Sequence, residues 1–208
     1  MAAIGVLVLG NSGTGKSASL RNFNPDDISL INVSGKRLPF PGGKDFKRTV
    51  VTDDAVTIIK LLKSTKSKVV VIDDSQYIMA NEFMRRSSEK GFEKFNLIGR
   101  HFWDIIQTLS SLPDDLVVYF LHHLDTDDNG CMKAKTQGRM IDSHICLEGL
   151  FGIVLRTVVQ NGHYGFFTQN QGNDTTKTPI GMFKDIVIEN DLAKVDAAIR
   201  QYYGIANK

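Results

Sequence analysis

Long apolar stretches without polar alternation divide the chain and predict the strands of a buried sheet. They cover residues 4–9, 69–72 and 116–121, with a further stretch at 28–33 that contains polar residues. Continuous apolar runs rich in β-branched residues are typical of parallel strands, because helices cover both faces of a parallel sheet. We therefore expect these segments to lie side by side in the centre of the molecule.

Amphipathic segments between and after these strands predict helices. Apolar side chains recur at helical spacing at Ala55, Ile58, Ile59 and Leu62, then at Phe102, Ile105, Ile106 and Leu109, and finally at Leu192, Val195 and Ile199. The first and last sets follow polar capping signals at 52–54 and 190–191, and the second ends ahead of Pro113. Strands that alternate with helices predict an α/β fold of three layers with a doubly wound, mainly parallel sheet.

The pattern changes after Phe151, where shorter β-like stretches at 151–159 and 164–168 flank the dipeptide Asn161-Gly162. Asn-Gly favours the tight turn of a hairpin, so we expect a C-terminal antiparallel hairpin at one edge of the sheet. No repeat, low-complexity segment or linker interrupts the sequence, and residues 1–208 are expected to form one domain.

Charge and cysteine usage narrow the functional classes. The 208 residues carry 25 Lys and Arg against 23 Asp and Glu, a net charge of +2, so any affinity for nucleic acid must come from local patches. Cys131 and Cys146 lack paired spacing, which favours reduced thiols in a cytoplasmic compartment. No apolar run is long enough to cross a membrane, so we expect no membrane partner.

A phosphate-binding loop follows the first predicted strand directly. Its sequence G-N-S-G-T-G-K-S matches G-x-x-x-x-G-K-[ST], and a helix-compatible stretch follows at 16–22. In such a loop, glycines let backbone N–H groups surround a phosphate, the lysine reaches the β/γ oxygens, and the serine hydroxyl helps to hold Mg²⁺. The residues expected to bind the nucleotide are Gly10, Asn11, Ser12, Gly13, Thr14, Gly15, Lys16, Ser17 and Ala18, and Lys16 is also expected to be catalytic.

Two acids, Asp73 and Asp74, end the apolar strand at 69–72. A carboxylate at the C-terminal end of a strand beside the phosphate-loop strand can reach the Mg²⁺ shell, so we expect Asp73 to bind the metal together with Ser17. Asp74 stands where many ATPases of this class have a glutamate that polarises the attacking water, and we expect it to assist hydrolysis. The alternative is that both acids cap the helix that follows.

His122 and His123 end the strand at 116–121 and lie at the same edge of the predicted sheet, where open α/β folds bind ligands. One of them could sense the γ-phosphate or orient water, and we assign this catalytic role to His123. The alternative is a structural histidine that only makes hydrogen bonds. One residue of strand register decides which side chain faces the nucleotide.

Two further patterns narrow the choice of ligand. Residues 125–130 begin like a calcium loop, but Thr136 stands where the bidentate glutamate belongs, so a solvated turn is the better interpretation. The guanine-specificity element Asn-Lys-x-Asp of GTPases is absent. Adenine is the better choice of base, and ATP with Mg²⁺ is the expected ligand pair.

The chain resembles phage-encoded AAA-type nucleotide-binding proteins with a minimal RecA-like ATPase core, some of which act in recombination and single-strand annealing. The similarity covers most of the chain and rests on the phosphate loop, the acidic strand end, and residues 121–123, 133–139 and 176–179. It implies a homo-oligomer in which a basic residue of a late hairpin reaches the neighbour's γ-phosphate, and Lys177 looks like that residue. The alternative for Lys177 is a solvated turn lysine.

The same resemblance implies binding of single-stranded DNA through the loops after the acidic and histidine strands, in the cytoplasm of an infected or lysogenic bacterial host. A single-strand-binding protein would be a further partner. Basic and aromatic residues at 85–100 are diluted by Glu89 and Glu93, which favours a solvated helix face. The preferred nucleic-acid residues are Lys133, Lys135 and Arg139.

The sequence thus predicts an ATPase that acts on DNA in phage recombination or replication, in which Asp74 or His123 assists water and a neighbour's Lys177 or Arg139 completes the site. Two alternatives remain open. A small-molecule kinase would use the same loop and would place the basic stretch at 133–139 in a lid over the acceptor. A nucleotide-gated interaction module would bind ATP without turnover.

Overall fold

The computed structural model describes residues 2–137 and 145–206 of the chain. Its strands are β1 (Ile4–Gly10), β2 (Ile28–Asn32), β3 (Thr49–Val50), β4 (Val69–Asp73), β5 (Val117–Thr126), β6 (Met132–Ala134), β7 (Ile153–Gln160), β8 (His163–Phe167) and β9 (Val187–Glu189). Its α-helices are α1 (Ala55–Ser64), α2 (Gln76–Arg85), α3 (Glu93–Thr108) and α4 (Leu192–Tyr203). The predicted strands are present, and the three predicted amphipathic segments correspond to α1, α3 and α4, of which α3 begins nine residues before Phe102.

The described strands form a mostly parallel, mixed sheet of nine strands in the order β3-β2-β4-β5-β1-β7-β8-β9, with β6 paired to β5. The six neighbouring strands β3, β2, β4, β5, β1 and β7 run parallel to one another. Their C-terminal ends therefore meet at one edge of the sheet. β5 lies between β1 and β4, and the expectation that the acidic strand neighbours the phosphate-loop strand is therefore wrong. Nothing in the apolar pattern of these strands specifies their order, because all are buried on both faces.

Helices cover both faces of the sheet, as the α/β prediction requires. On one face α1, α2 and α3 pack against apolar side chains that include Phe120 of β5. On the other face α4 packs against side chains of alternate strand positions such as Tyr119. The arrangement is compatible with a three-layer α/β fold.

Capping residues set the helix starts that the sequence predicts. Asp54 accepts a hydrogen bond from the Thr57 backbone N–H at 2.8 Å and begins α1. Asp191 accepts from the N–H of Ala193 at 3.0 Å and begins α4. None of the helices in residues 2–137 and 145–206 combines the length and apolar character that a membrane crossing requires.

The helix-compatible stretch at 16–22 forms a short helical turn rather than an α-helix. Only a four-residue 3-10 turn, Ser17–Leu20, follows the phosphate loop. The Asn22 side chain instead donates to Asp191 at 2.7 Å, which ties the turn to the start of α4.

The C-terminal hairpin is confirmed as antiparallel, with β7 and β8 joined at Asn161 and Gly162. Their φ values of +51° and +78° are those a two-residue type I′ turn needs. The hairpin is not itself the edge of the sheet, because β9 pairs with β8 on its outer side. A three-residue strand is too short to give a recognisable alternation in the sequence.

A buried polar network joins α4 to the edge of the sheet at which the central parallel strands begin. Asp196 accepts from the Tyr119 hydroxyl at 3.2 Å and from Arg200 Nε at 2.6 Å. Arg200 Nη2 also donates to the Lys68 carbonyl at 2.9 Å, and Nη1 donates to the Asp115 carbonyl at 3.2 Å. The network joins the helix to the beginning of two central strands.

Candidate nucleotide-binding site

The phosphate loop holds its shape through glycines and two threonines. Gly13 and Gly15 have φ values of +79° and +94°, the left-handed region that favours glycine. A Cβ on Gly10 would collide with Thr157 Oγ1, so the loop packs directly on β7. Thr157 donates to Thr14 Oγ1 at 2.7 Å, and Thr14 donates to the Asn11 carbonyl at 2.7 Å. This chain of hydrogen bonds braces the loop from the β7 side.

Lys16 lies under the loop with its ammonium group turned back toward β1. Its Nζ donates to the carbonyls of Gly10 at 2.7 Å and Asn11 at 2.9 Å. Burial lowers the pKa of Lys16, although Asp74 and Asp73 act in the opposite direction. An ammonium has three donor hydrogens, so two hydrogen bonds leave one for a phosphate oxygen.

Backbone donors accompany this ammonium. The N–H groups of Gly13, Gly15 and Lys16 donate to no other group within the described ranges. Successive free N–H groups on a loop of this shape form an anion-binding concavity. The loop therefore has the donor set that a bound phosphate requires.

Ser17 and Asp73 meet although 56 positions separate them in the chain. The Ser17 hydroxyl donates to Asp73 Oδ1 at 2.8 Å. Burial, followed by the neighbouring Asp74 charge, raises the pKa of Asp73 to about 6, against the opposing effects of the Ser17 hydrogen bond and the Lys16 charge. A buried carboxylate beside a hydroxyl fits Mg²⁺, which takes one or two protein ligands and completes its shell with water and substrate phosphate. No cluster of three or more His, Cys, Asp or Glu side chains that could hold a metal occurs in the described part of the chain.

Asp74 turns toward a different set of partners. Its φ of +60° redirects the chain out of β4, and Ser75 rather than either acid occupies the N-cap of α2. Lys36 Nζ lies 3.2 Å from Asp74 Oδ2, and His123 Nε2 lies 3.4 Å from Oδ1. Burial acts to raise the pKa of Asp74, but hydrogen bonds from His123 and Lys36 outweigh it and hold the pKa well below the ordinary range.

The strand register separates the roles of the two histidines. His122 is fully buried, donates through Nε2 to the Lys135 carbonyl at 2.7 Å and accepts at Nδ1 from Ser75 Oγ at 2.9 Å. Burial lowers the pKa of His122 to about 4, so it stays neutral. His123 pairs in register with Gly10 and is the histidine that contacts Asp74.

Sequence reasoning missed Lys36 and Tyr77. The Tyr77 ring lies 5.2 Å from the Lys36 ammonium and makes an edge-on contact with His123 at 5.7 Å. Asn32 fixes the approach of Lys36 by donating to its carbonyl at 2.7 Å. The available signal was the position of Lys36, just after a strand that ends at the same edge of the sheet as Asp74.

Tyr164 and Asn190 border the loop on the other side and were also missed. A Cβ on Gly15 would lie 3.0 Å from the Tyr164 ring and 3.1 Å from the Asn190 amide. Arg21 Nη1 donates to the Asn190 backbone carbonyl at 2.5 Å, which holds this segment against the turn that follows the loop. Tyr164 is 50% exposed, so its ring forms part of the rim of the site.

Lys177 is exposed, and its backbone lies away from the phosphate loop of its own chain. Its backbone pairs with Val154, which stands opposite Leu7 of β1. Leu7 precedes Gly10 by three strand positions, which is about 10 Å along the sheet. A role toward a neighbouring subunit stays a prediction.

The preferred nucleic-acid residues lie on and after β6. Lys133 stands opposite Asp125 in the ladder, and the Lys135 N–H donates to the His123 carbonyl at 2.9 Å. Both residues therefore lie close to the end of β5 that carries His123. Arg139 lies outside the described residues. The turn between β5 and β6 is the segment with the calcium-like start, and Asp127 Oδ1 there accepts from two backbone N–H groups.

The basic residues at 85–100 are largely compensated, as the solvated-face interpretation implies. Arg85 pairs with Asp53, Arg86 pairs with Glu82 and Glu89, and Arg100 pairs with Asp104. Lys94 is buried and donates to three backbone carbonyls. This stretch offers few free cations to a polyanion.

Comparison with known proteins adds no family to this picture. No protein-family model matches the chain, and no curated protein matches it either. The chemistry of the site is therefore that of the loop, the lysines and the strand-end carboxylates described above.

Proposed function

We propose that the chain is a Mg²⁺-dependent ATPase with a RecA-like core that acts on DNA in phage recombination or replication, and that it binds single-stranded DNA. The observation that carries the proposal is the contact of the Ser17 hydroxyl with Asp73 at 2.8 Å, beside the buried Lys16 ammonium. A hydroxyl, a carboxylate and an ammonium at the mouth of a glycine loop are the groups that hold a magnesium-bearing triphosphate.

The residues divide the chemistry between them. Backbone N–H groups and Lys16 bind the phosphates, while Ser17 and Asp73 would hold Mg²⁺. When bound, Mg²⁺ would neutralise charge on the β- and γ-phosphates. Asp74 is ionised at neutral pH because its pKa is low, and it orients the attacking water and accepts its proton directly or through His123.

The strand order supports the RecA-like part of the proposal. β5 lies between β1 and β4, and the phosphate loop, Asp73 and His123 all project from the C-terminal edge of the parallel strands. Ligands of open α/β sheets bind at that edge. Assembly into a homo-oligomer, in which Lys177 of a neighbour approaches the γ-phosphate, belongs to the same proposal, as does a single-strand-binding protein as partner.

Calorimetry with Mg-ATP and a phosphate-release assay test the proposal. We expect Lys16→Ala to reduce turnover by roughly a hundredfold or more, since the lysine stabilises charge on the transferring phosphoryl group. Lys63→Ala is the matched control, because Lys63 lies exposed in the last turn of α1, away from the loop. Equal turnover in the two variants, or no heat on mixing the protein with any purine triphosphate, contradicts the proposal.

A nucleotide-gated module without turnover is the second candidate, favoured by one observation. Asp74, the carboxylate nearest to the expected water, is engaged by Lys36 and His123. A module of this kind would retain ATP unchanged. Recovery of intact ATP from the purified complex after hours with Mg²⁺ would support it, whereas free phosphate would support the ATPase.

A further inference from the structure

We infer that the loop between β2 and β3, residues 36–48, is the surface that binds single-stranded DNA, and that it communicates with the hydrolytic site through Lys36. The inference rests on the proposed function and relocates its nucleic-acid contact from the β6 region to the opposite side of the site. It depends on charge, on the shape of two cavities, and on one shared lysine.

The loop carries a marked excess of basic side chains for its length. In 13 positions it has five basic side chains and one acid, while the whole chain has a net charge of +2. The five basic residues are Lys36, Arg37, Lys44, Lys47 and Arg48, and all five are exposed. A cluster with this imbalance attracts a polyanion through release of counterions.

Most of these cations have no carboxylate partner. Within residues 2–137 and 145–206, Lys36 is paired with Asp74, but Arg37, Lys44 and Lys47 form no ion pair. The basic helix residues at 85–100 are different, because ion pairs or burial compensate most of them. Uncompensated charge is available for phosphate contacts at the loop.

The basic side chains of the loop line two cavities beside β3. A cavity of about 570 Å³ is lined by Lys36, Arg37, Lys44 and the half-buried Phe40. A second cavity of about 350 Å³ carries Lys47 and Arg48, and Leu30 and Thr49 line both cavities. The five cations are therefore gathered around the β3 edge of the sheet, in two cavities that meet at Leu30 and Thr49.

The aromatic wall of the larger cavity favours a single strand over a duplex. Phe40 is held edge-on against buried Phe46 at 5.8 Å, so one ring of the pair lines the cavity in a fixed orientation. A single strand can turn its bases toward such a ring while its phosphates contact cations. A duplex keeps its bases stacked inside and presents mainly phosphates.

Lys36 belongs both to this set of cations and to the hydrolytic site. Its ammonium lies 3.2 Å from Asp74, and its charge is close enough to lower the pKa of Lys16, after the larger effect of burial. A DNA phosphate that binds Lys36 competes with Asp74 for the same ammonium. Strand binding therefore releases Asp74 to orient water, and hydrolysis is faster on DNA.

Fluorescence anisotropy of a labelled thymidine oligomer of about 20 nucleotides, with nucleotide-free full-length protein, tests the inference. We expect the triple variant Arg37→Ala, Lys44→Ala, Lys47→Ala to bind at least roughly tenfold more weakly than the parent. The slope of log affinity against log salt should fall by about two, since each lost single-strand contact contributes about 0.7. Phe40→Leu should weaken binding at least about fivefold, because it removes the stacking ring and keeps an apolar side chain.

Two variants make the result specific. Lys60→Ala, Lys63→Ala, Lys184→Ala removes the same charge from exposed positions elsewhere, and Lys133→Ala, Lys135→Ala removes the two described β6-region cations. Thermal melting confirms that each variant is folded. Weakening in the loop variant alone supports the inference. Equal weakening in the charge-matched control, loss of binding only in the β6-region variant, or tighter binding of a duplex overturns it.

The test of the DNA-binding surface and the test of ATP hydrolysis can fail independently. A protein that binds and hydrolyses ATP but gives no anisotropy change with the oligomer overturns only the surface. A protein that binds the oligomer through the loop and gives no calorimetric signal with ATP overturns only the hydrolytic proposal.

Discussion

Lys36 and Asp74 form an ion pair between the loop after β2 and the end of β4, with 3.2 Å between Nζ and Oδ2. The lysine side chain is 66% exposed and the aspartate side chain 11% exposed. Water therefore surrounds most of the lysine side chain, whereas the carboxylate is largely shielded from it. The charge of a largely buried carboxylate is therefore neutralised by a solvent-exposed lysine that can move away. Its removal is a direct way to change the chemistry of the site.

Lys36→Met should raise DNA-independent turnover about two- to fivefold. Without the ammonium, the pKa of Asp74 moves up toward the ordinary carboxyl range, and a carboxylate with a higher pKa is a better proton acceptor. Phosphate release without DNA, measured beside the parent and Lys63→Met, checks this. A rate below that of the parent would instead mean that Lys36 itself assists the reaction.

Asp73→Asn should stabilise the nucleotide-free protein at pH 8 while it abolishes Mg²⁺-dependent ATP binding. The pKa of Asp73 is about 6 in the fold against an ordinary value of 3.8, so the fold favours the protonated carboxyl. The stability that this group contributes is complete below pH 3.8 and is lost as pH rises through 6. The gain in the free energy of unfolding should be about 3 kcal/mol at pH 8 and below about 1 kcal/mol at pH 4.

Urea unfolding at the two pH values measures this difference, with Asp128→Asn in an exposed turn as the charge-matched control. An equal effect of Asp73→Asn at both pH values would show that the pKa of Asp73 is not raised. Retained Mg²⁺-dependent ATP affinity would show that Asp73 is not a metal ligand.

Tyr164→Ala should weaken ATP binding about tenfold and leave the affinity for inorganic triphosphate close to that of the parent. The half-exposed ring borders Gly15, where it can stack on the base, and base stacking on an aromatic contributes about 1–3 kcal/mol. Calorimetry with both ligands makes the comparison, and Tyr202→Ala, on the exposed end of α4, is the control. Equal losses for the two ligands would place Tyr164 in support of the loop rather than at the base.

Arg200→Met should lower the free energy of unfolding by about 3 kcal/mol or more, because it leaves the buried Asp196 carboxylate without its cation. Tyr119→Phe removes a single hydrogen bond to the same carboxylate and should cost about 1 kcal/mol. Chemical denaturation of both variants checks the order. A loss below that of Tyr119→Phe would show that Arg200 contributes little to the attachment of α4.

The sequence predicted those parts of the fold that are determined locally. β1 and β4 were recognisable because their apolar residues are continuous, and the β7–β8 turn because Asn161-Gly162 suits positive φ values. The insertion of β5 between β1 and β4 was not recognisable, since buried parallel strands have similar compositions. The two-residue strand β3 is too short to give any periodic signal.

The site divides in the same way. The phosphate loop and Asp73 each belong to a motif that can be recognised in a short stretch of sequence. The contact of Ser17 with Asp73 is the one that these two motifs predict. Lys36 reaches the site from the loop after β2, and Tyr164 reaches it from β8, and only the tertiary fold brings these two elements to the site. The functional meaning of the basic loop also depends on tertiary structure, because its cations are distinguished by their lack of partners rather than by their number.

The backbone at Asp74 limits which acid this position can hold. A φ of +60° is tolerated by aspartate and asparagine far better than by longer side chains. A glutamate at position 74 would therefore strain the backbone at the exit from β4. A chain that carried the longer acid here would first need a different backbone path out of β4.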